Sequence, residues 1–337
     1  MKTKRCGDIL RWEAMVLLSV FAISTAGCEI LDPQAEGNLV PNTVIEDTSL
    51  PRFVASDGTV LHLRTYGSAQ NPAVLVFHGG PGQDMRAYEA LIQLSNEYHV
   101  VMWDQRGAGL SQRVNAASIT GEAYLQDVRD IVAEYSSGEP VFLIGHSWGG
   151  AYATYVTQQM PEIVRGLVLI EPMEMTREAF QRHGDQSTNL LSRGINRVLA
   201  AADRTRPDSH AEADYLYQAV VAELDSDGGG PPAVGTTARR TGYVAWRTTV
   251  EWLGFLSGKP YDGFDFLSGV RTGYQGRTLI IASDDDFLGI ELQREFHAPH
   301  FADVQVIEVT GADHYMLVDP SFAPSIMAEI KSFLEAL

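Results

Sequence analysis

Short apolar runs recur along the chain. They are unbroken at Ala73–Phe77, Val100–Trp103 and Val141–Ile144, and looser at Val164–Ile170, Thr278–Ser283 and Val304–Val309. Runs that lack polar alternation are the pattern of strands buried on both faces, as in a parallel sheet. Between them the period changes. From Thr120 onward, Tyr124, Leu125, Val128, Ile131, Val132 and Tyr135 recur at helical spacing,. Small residues (Ala151, Ala153, Val156) continue from the run at 141–144, and Leu288 to about His300 reads as a helix. Strands alternating with helices predict an α/β fold with a mostly parallel sheet and helices on both faces. Ahead of these elements, two strand-like runs flank Asp57-Gly58, a hairpin signal,. The second run, Val60 to Gly67, alternates as a half-buried antiparallel strand should.

The pattern lapses twice. Met173 to about Val270 reads mostly helical with no strand period, broken by Asp225-Ser226-Asp227-Gly228-Gly229-Gly230-Pro231-Pro232. Glu29 to about Ser49 has no period at all and carries Pro33, Gly37 and Pro41, so it reads as a tether,. Before it, Lys2, Lys4, Arg5 and Arg11 precede an apolar stretch from Ala14 to Ala26, too short to span a bilayer,. The stretch ends in Ser24-Thr25-Ala26-Gly27-Cys28, which resembles the lipobox of bacterial lipoproteins despite Thr25 at a usually aliphatic position. Cleavage before Cys28 would remove Cys6, the other cysteine, and leave no internal disulfide,. The expectation is an exported protein, lipidated on Cys28 and anchored to a membrane of the cell envelope; an ordinary secretory signal is the alternative. The chain then divides into a signal peptide (1–27), a tether (28–49), a core in two parts (50–172 and 271–337) and an inserted helical cap (173–270).

Composition narrows the partners. The 337 residues are 45% hydrophobic and 20% charged, as in ordinary globular proteins, and the net charge is −18,. Such a surface repels phosphate backbones, so nucleic acid is excluded as a partner.

The chemistry concentrates where strands end. Val141–Ile144 runs into Gly145-His146-Ser147-Trp148-Gly149, a G-x-S-x-G between strand and helix, the setting of a nucleophile elbow,. Ala73–Phe77 ends in His78-Gly79-Gly80-Pro81-Gly82, whose amides can stabilise an oxyanion,. Gly80 N–H, with Trp148 N–H, is the expected pair, and Gly79 stands second. His78, at a strand end before glycines, reads as structural. Val100–Trp103 ends in Asp104-Gln105-Arg106-Gly107-Ala108-Gly109-Leu110-Ser111, read as a turn in which Asp104 and Arg106 pair locally. His314, in Thr310-Gly311-Ala312-Asp313-His314 after the last strand, is the expected base.

Taken in order, the His78–Gly82 loop, Asp104-Gln105-Arg106-Gly107-x-Gly109-x-Ser111 and Gly145-x-Ser147-Trp148-Gly149-Gly150 resemble the α/β-hydrolase superfamily, and within it the proline iminopeptidase-type branch. The resemblance covers about Phe53–Pro172 and Thr278 to the C-terminus. It implies a Ser147, Asp286, His314 triad, with Asp286 favoured over Asp284 and Asp285 beyond Thr278–Ser283. It implies no metal and no organic cofactor. It also implies a cap that roofs the site and removal of an N-terminal proline from a small peptide. Glu223, Trp246 and Glu251 are the cap's candidates for substrate binding. Two departures, His146 at a common glycine position and a cap that does not repeat the branch's acidic pattern, keep a carboxylesterase or lactonase in view. A lipid-anchored binding protein on a hydrolase scaffold is the alternative of a different class.

Overall fold

A computed structural model of the chain describes residues 42–179, 214, 248, 252, 266–284 and 288–337. Eight strands form one sheet in the order β1-β2-β4-β3-β5-β6-β7-β8. They are β1 (Arg52–Val54), β2 (Val60–Tyr66), β3 (Ala73–Phe77), β4 (His99–Trp103), β5 (Val141–His146), β6 (Val164–Ile170), β7 (Arg277–Ser283) and β8 (Asp303–Val309). β1–β2 and β2–β4 pair antiparallel, and every later pair is parallel. This is the mostly parallel α/β sheet that the apolar runs predict.

Those runs are unbroken because each strand feeds two cores. On β3, Leu75 and Phe77 pack on one face with Tyr124, Val128, Tyr152 and Val156. Val74 and Val76 pack on the other with Met85, Leu91, Ile326 and Ile330. Each fully buried aliphatic side chain contributes roughly 1.5–3 kcal/mol through removal from water. The first face is covered by α1 (Gly121–Tyr135) and α2 (Trp148–Gln159), the second by the 3-10 segment Met85–Asn96 and by α3 (Ala323–Glu335). α1 starts where its sequence says it should: the Thr120 hydroxyl accepts from Ala123 N–H, an N-cap,.

Three details differ from the sequence reading. β2 does not alternate, since Leu61, His62 and Leu63 are all buried, because the loop after β4 holds His62 through Asp104 and Ser111. The tether stops short of Ser49: Val44 is fully buried and its N–H bonds Leu110 C=O at 2.9 Å. Asp104 and Arg106 do not pair. Asp104 instead accepts from His62 Nδ1, Met85 N–H and Leu110 N–H. Arg106 forks onto Asp127 at 2.9 and 2.5 Å and reaches Asp57 at 2.6 Å. It thereby ties the hairpin turn to α1, a longer reach than a local turn allows.

The inserted segment leaves and rejoins the core side by side. Phe266 N–H bonds Met175 C=O at 2.9 Å. Of residues 180–265, Asp214, Thr248 and Trp252 are described, each in a helical turn. They touch the core through Arg113–Asp214 (2.7 Å), Thr248 Oγ1 to Gly107 C=O (3.0 Å) and the tilted ring contact of Trp252 with Trp148. No helix among the described residues is long and apolar enough to cross a membrane. The signal and tether residues 1–41, Cys28 among them, lie outside the described residues.

Candidate active site

The six residues of β5 are all buried, and the chain turns sharply at their end. Ser147 sits there at φ 55°, ψ −125°, as the residue preceding α2. That left-handed conformation costs a non-glycine residue on the order of 1–3 kcal/mol and persists only where neighbours enforce it. The flanking glycines show the enforcement. A Cβ on Gly145 would fall 2.3 Å from Gly149 O, and one on Gly149 would fall 2.0 Å from Phe77 O. Neither position admits a side chain, which is the physical content of the G-x-S-x-G spacing.

Among the described residues, the carboxylate that meets His314 is Glu171. Its Oε2 accepts from His314 Nδ1 at 2.7 Å. Its Oε1 accepts from Ser283 N–H at 2.7 Å and from the Ser283 hydroxyl. Glu171 follows β6 directly, is fully buried, and has φ 38°. Burial opposes its charge, but the hydrogen bond and charge of His314 and the two Ser283 donors outweigh burial and hold its carboxyl below the ordinary carboxylate range,. Asp285 and Asp286 lie outside the described residues. Asp284 is described, and it holds the His314 loop rather than the imidazole: its Oδ1 accepts from Gly311 N–H at 2.7 Å. Asp313, where a glycine is common, closes the same loop by accepting from Tyr315 N–H at 2.8 Å.

A chain of hydrogen bonds runs from the glycine loop to the His314 loop. Gly79 N–H donates to Tyr88 Oη at 2.8 Å, and Tyr88 Oη lies 2.9 Å from His146 Nδ1. His146 Nε2 lies 2.7 Å from His314 C=O. A carbonyl can only accept, so His146 Nε2 carries the proton and Nδ1 accepts from the tyrosine hydroxyl. Burial first, and then the nearby His314, push the His146 pKa down to about 3, in keeping with a neutral ring. The chain occupies the Gly79 amide. The Gly80 and Trp148 amides meet no acceptor among the described residues, as the first N–H groups of a helix and of an exposed loop edge are free to do.

Gln105 joins the three sequence motifs. Its N–H bonds His78 Nε2 and its side-chain NH₂ bonds His78 C=O, at 2.9 and 2.8 Å. Its side-chain oxygen accepts from Trp148 Nε1 at 2.8 Å. His78 is thus fully buried between Gln105 and Gly79 C=O, a structural role. Glu223, Trp246 and Glu251, the cap's candidates, lie outside the described residues. Trp252 packs on Trp148 and Tyr124 and belongs to the core.

With this geometry in place, the family that describes the alpha/beta hydrolase fold matches residues 72–320. The chain belongs to that family. Among curated relatives, this α/β hydrolase is 37% identical over 102 residues to the probable aminopeptidase YbaC of Bacillus subtilis, covering 28% of this chain and 32% of that protein. It is 30% identical over 131 residues to human monoglyceride lipase, covering 37% and 43% of the two chains. The chain therefore spans less than half the length of these relatives in the matched stretches. Among solved structures it is similar to a hydrolase from Pseudomonas aeruginosa, with TM-score 0.63, 19% identity and coverage of 85% and 98%. It is also similar to the esterase RhEst1 from Rhodococcus, with TM-score 0.61, 16% identity and coverage of 86% and 99%. At such identities the structural likeness speaks for the fold alone.

Sequence reasoning about this α/β hydrolase missed Glu171 and Tyr88. A signal for Glu171 was present: one acid placed directly between the buried run 164–170 and Pro172. Tyr88 had none, because its role depends on a contact with a residue far along the chain.

Proposed function

We propose that this chain is a serine hydrolase that works through an acyl-enzyme and releases N-terminal residues from small peptides. The observation that carries the proposal is the 2.7 Å contact of His314 Nδ1 with Glu171, on the loop beside the strained Ser147. That contact fixes the imidazole with its proton on Nδ1 and leaves Nε2 to act on the serine. His314 Nε2 takes the Ser147 proton as Oγ attacks the scissile carbonyl carbon. The amides of Gly80 and Trp148 stabilise the resulting oxyanion. His314 then returns the proton to the leaving nitrogen. Water, deprotonated by the same imidazole, attacks the acyl-enzyme and frees Ser147. Glu171 stabilises the imidazolium in both halves. No metal or organic cofactor enters this scheme.

The peptide reading is supported by similarity to the probable aminopeptidase and by the proline iminopeptidase-type motifs. A second reading, carboxylesterase or lactonase, is favoured by similarity to human monoglyceride lipase over a longer stretch. Hydrolysis of a proline arylamide against a short-chain aryl ester separates the two, with Ser147→Ala as control. The variant is expected to lose roughly 10⁶-fold in kcat. Activity within tenfold of wild type would reject the mechanism, and lack of labelling by a serine-directed fluorophosphonate would favour a binding protein instead. Ester cleavage alone would leave the triad and discard the peptide substrate. We further propose that Cys28 is lipidated and anchors the domain to a membrane. Cys28→Ala is expected to move the protein to the soluble fraction, and unchanged membrane partition would reject the anchor.

A further inference from the structure

Past Glu171 the chain crosses the elbow within four residues. Met173 N–H bonds Ser147 C=O at 3.1 Å, and Met175 N–H bonds His297 Nε2 at 3.2 Å. Glu174 lies between those two tethers. It is only 4% exposed, and its Oε1 has no hydrogen-bond partner among the described residues. Buried polar atoms in native proteins are rarely left so, and a buried carboxylate oxygen least of all. Burial raises the Glu174 carboxyl above the ordinary range, and the nearby His314 offsets only part of that, so a positively charged partner is what would hold it ionised. His314 does not need Glu174, since Glu171 already holds the imidazole.

We propose that Glu174 receives the ammonium nitrogen of the substrate, beside the scissile carbonyl. This rests on the acyl-transfer reading of Ser147 and gives that site its substrate class: carbonyl compounds carrying a primary or secondary amine close to the bond that is cut. An incoming ammonium provides what Oε1 lacks, a positive charge and an N–H donor together. A single open oxygen suits a compact ammonium. A guanidinium would need two parallel acceptors, and of the Glu174 carboxylate it is Oε1 that is buried without a partner,. Because Glu174 sits one residue beyond the segment bonded to Ser147, it sets the distance from the amine to the nucleophile. A free amino terminus fits this arrangement, and an N-acylated one places a neutral amide against a buried carboxylate.

The test compares alanine ethyl ester with N-acetylalanine ethyl ester, and adds alanine p-nitroanilide. Wild type is expected to favour the free amine over the acetylated ester by roughly 10²-fold in kcat/KM, the scale of a lost buried charge pair. In Glu174→Gln that ratio is expected to collapse toward unity, and Glu174→Asp is expected to recover part of it. Both esters are measured on one preparation, so the folded fraction cancels from the ratio. An unchanged ratio in Glu174→Gln overturns the proposal, as does a wild type that does not favour the free amine. Cleavage of alanine ethyl ester with no cleavage of the anilide would remove the aminopeptidase reading and leave Glu174 as the amine site.

Discussion

His146 donates from Nε2 to the backbone carbonyl of His314 across 2.7 Å, so the residue before the nucleophile holds the loop that carries the base. Nδ1 accepts from the Tyr88 hydroxyl at the same time, so the ring is singly protonated and neutral,. An unfolded imidazole binds a second proton below about 6.5, whereas burial and His314 hold the folded one neutral down to about 3. Between those values the unfolded state binds more protons. Stability therefore rises with pH in that window and is lost as pH falls through it.

His78, whose pKa burial also lowers, adds to the same slope. Each such group contributes ~1.4 kcal/mol per pH unit in its window. Denaturant unfolding at pH 7 and pH 4.5 is expected to show His146→Asn losing about 2–3 kcal/mol less on acidification than wild type. Equal acid losses in the two proteins would refute the assignment.

Glu171→Gln keeps the shape of the acid and removes its charge. By the logic of a misassigned imidazole tautomer, kcat is expected to fall roughly 10³–10⁴-fold with little change in KM. Asp286→Asn is the matched comparison, expected to stay within a few-fold of wild type. A loss at Asp286 as large as that at Glu171 would return the role to the loop after β7.

Tyr88→Phe removes one oxygen and leaves two buried groups without partners, Gly79 N–H and His146 Nδ1. The expected cost is about 1–3 kcal/mol in unfolding free energy. The glycine loop also loses its strut, so kcat is expected to drop more than KM rises. Wild-type stability in this variant would contradict the hydrogen-bond chain.

Arg106→Met strands Asp127. Burial already pushes the Asp127 carboxyl up to about 6 even with the guanidinium in place. Breaking a buried pair on one side costs about 3–5 kcal/mol. Urea midpoints at pH 7 and pH 5.5 test this: the deficit is expected to shrink at the lower pH, where Asp127 protonates. A pH-independent deficit would point to lost packing instead.

The sheet was legible because its signal is local. Apolar runs at Ala73–Phe77 and Val164–Ile170 carry their own burial, and the latter's bounds match β6 residue for residue. The positions of Ser147 and the glycine loop at strand ends, and of His314 in the loop after the last strand, were legible because each has its own local punctuation. The acid was not. The family habit points beyond β7, while the residue that reaches His314 follows β6, one strand closer to the nucleophile. Which of two adjacent strand ends delivers a carboxylate depends on a side chain's reach across the sheet, and spacing along the chain does not encode that. The same holds for Asp104 and Arg106, neighbours in sequence whose partners lie in other elements, and for Val44, whose burial no periodicity announces.

The hydrogen bond between Met175 and Phe266 makes the two cut ends of the insertion neighbours. A segment bounded in this way behaves as a cassette. Exchange of residues 180–265 would pass through a junction one peptide wide, and a new segment would have to replace the contacts that Asp214, Thr248 and Trp252 make with the core. Glu171 and Glu174 lie on the core side of that junction. Recombination at that junction would leave Ser147, His314 and Glu171 in place, and the packing of Trp252 on Trp148 would have to be rebuilt.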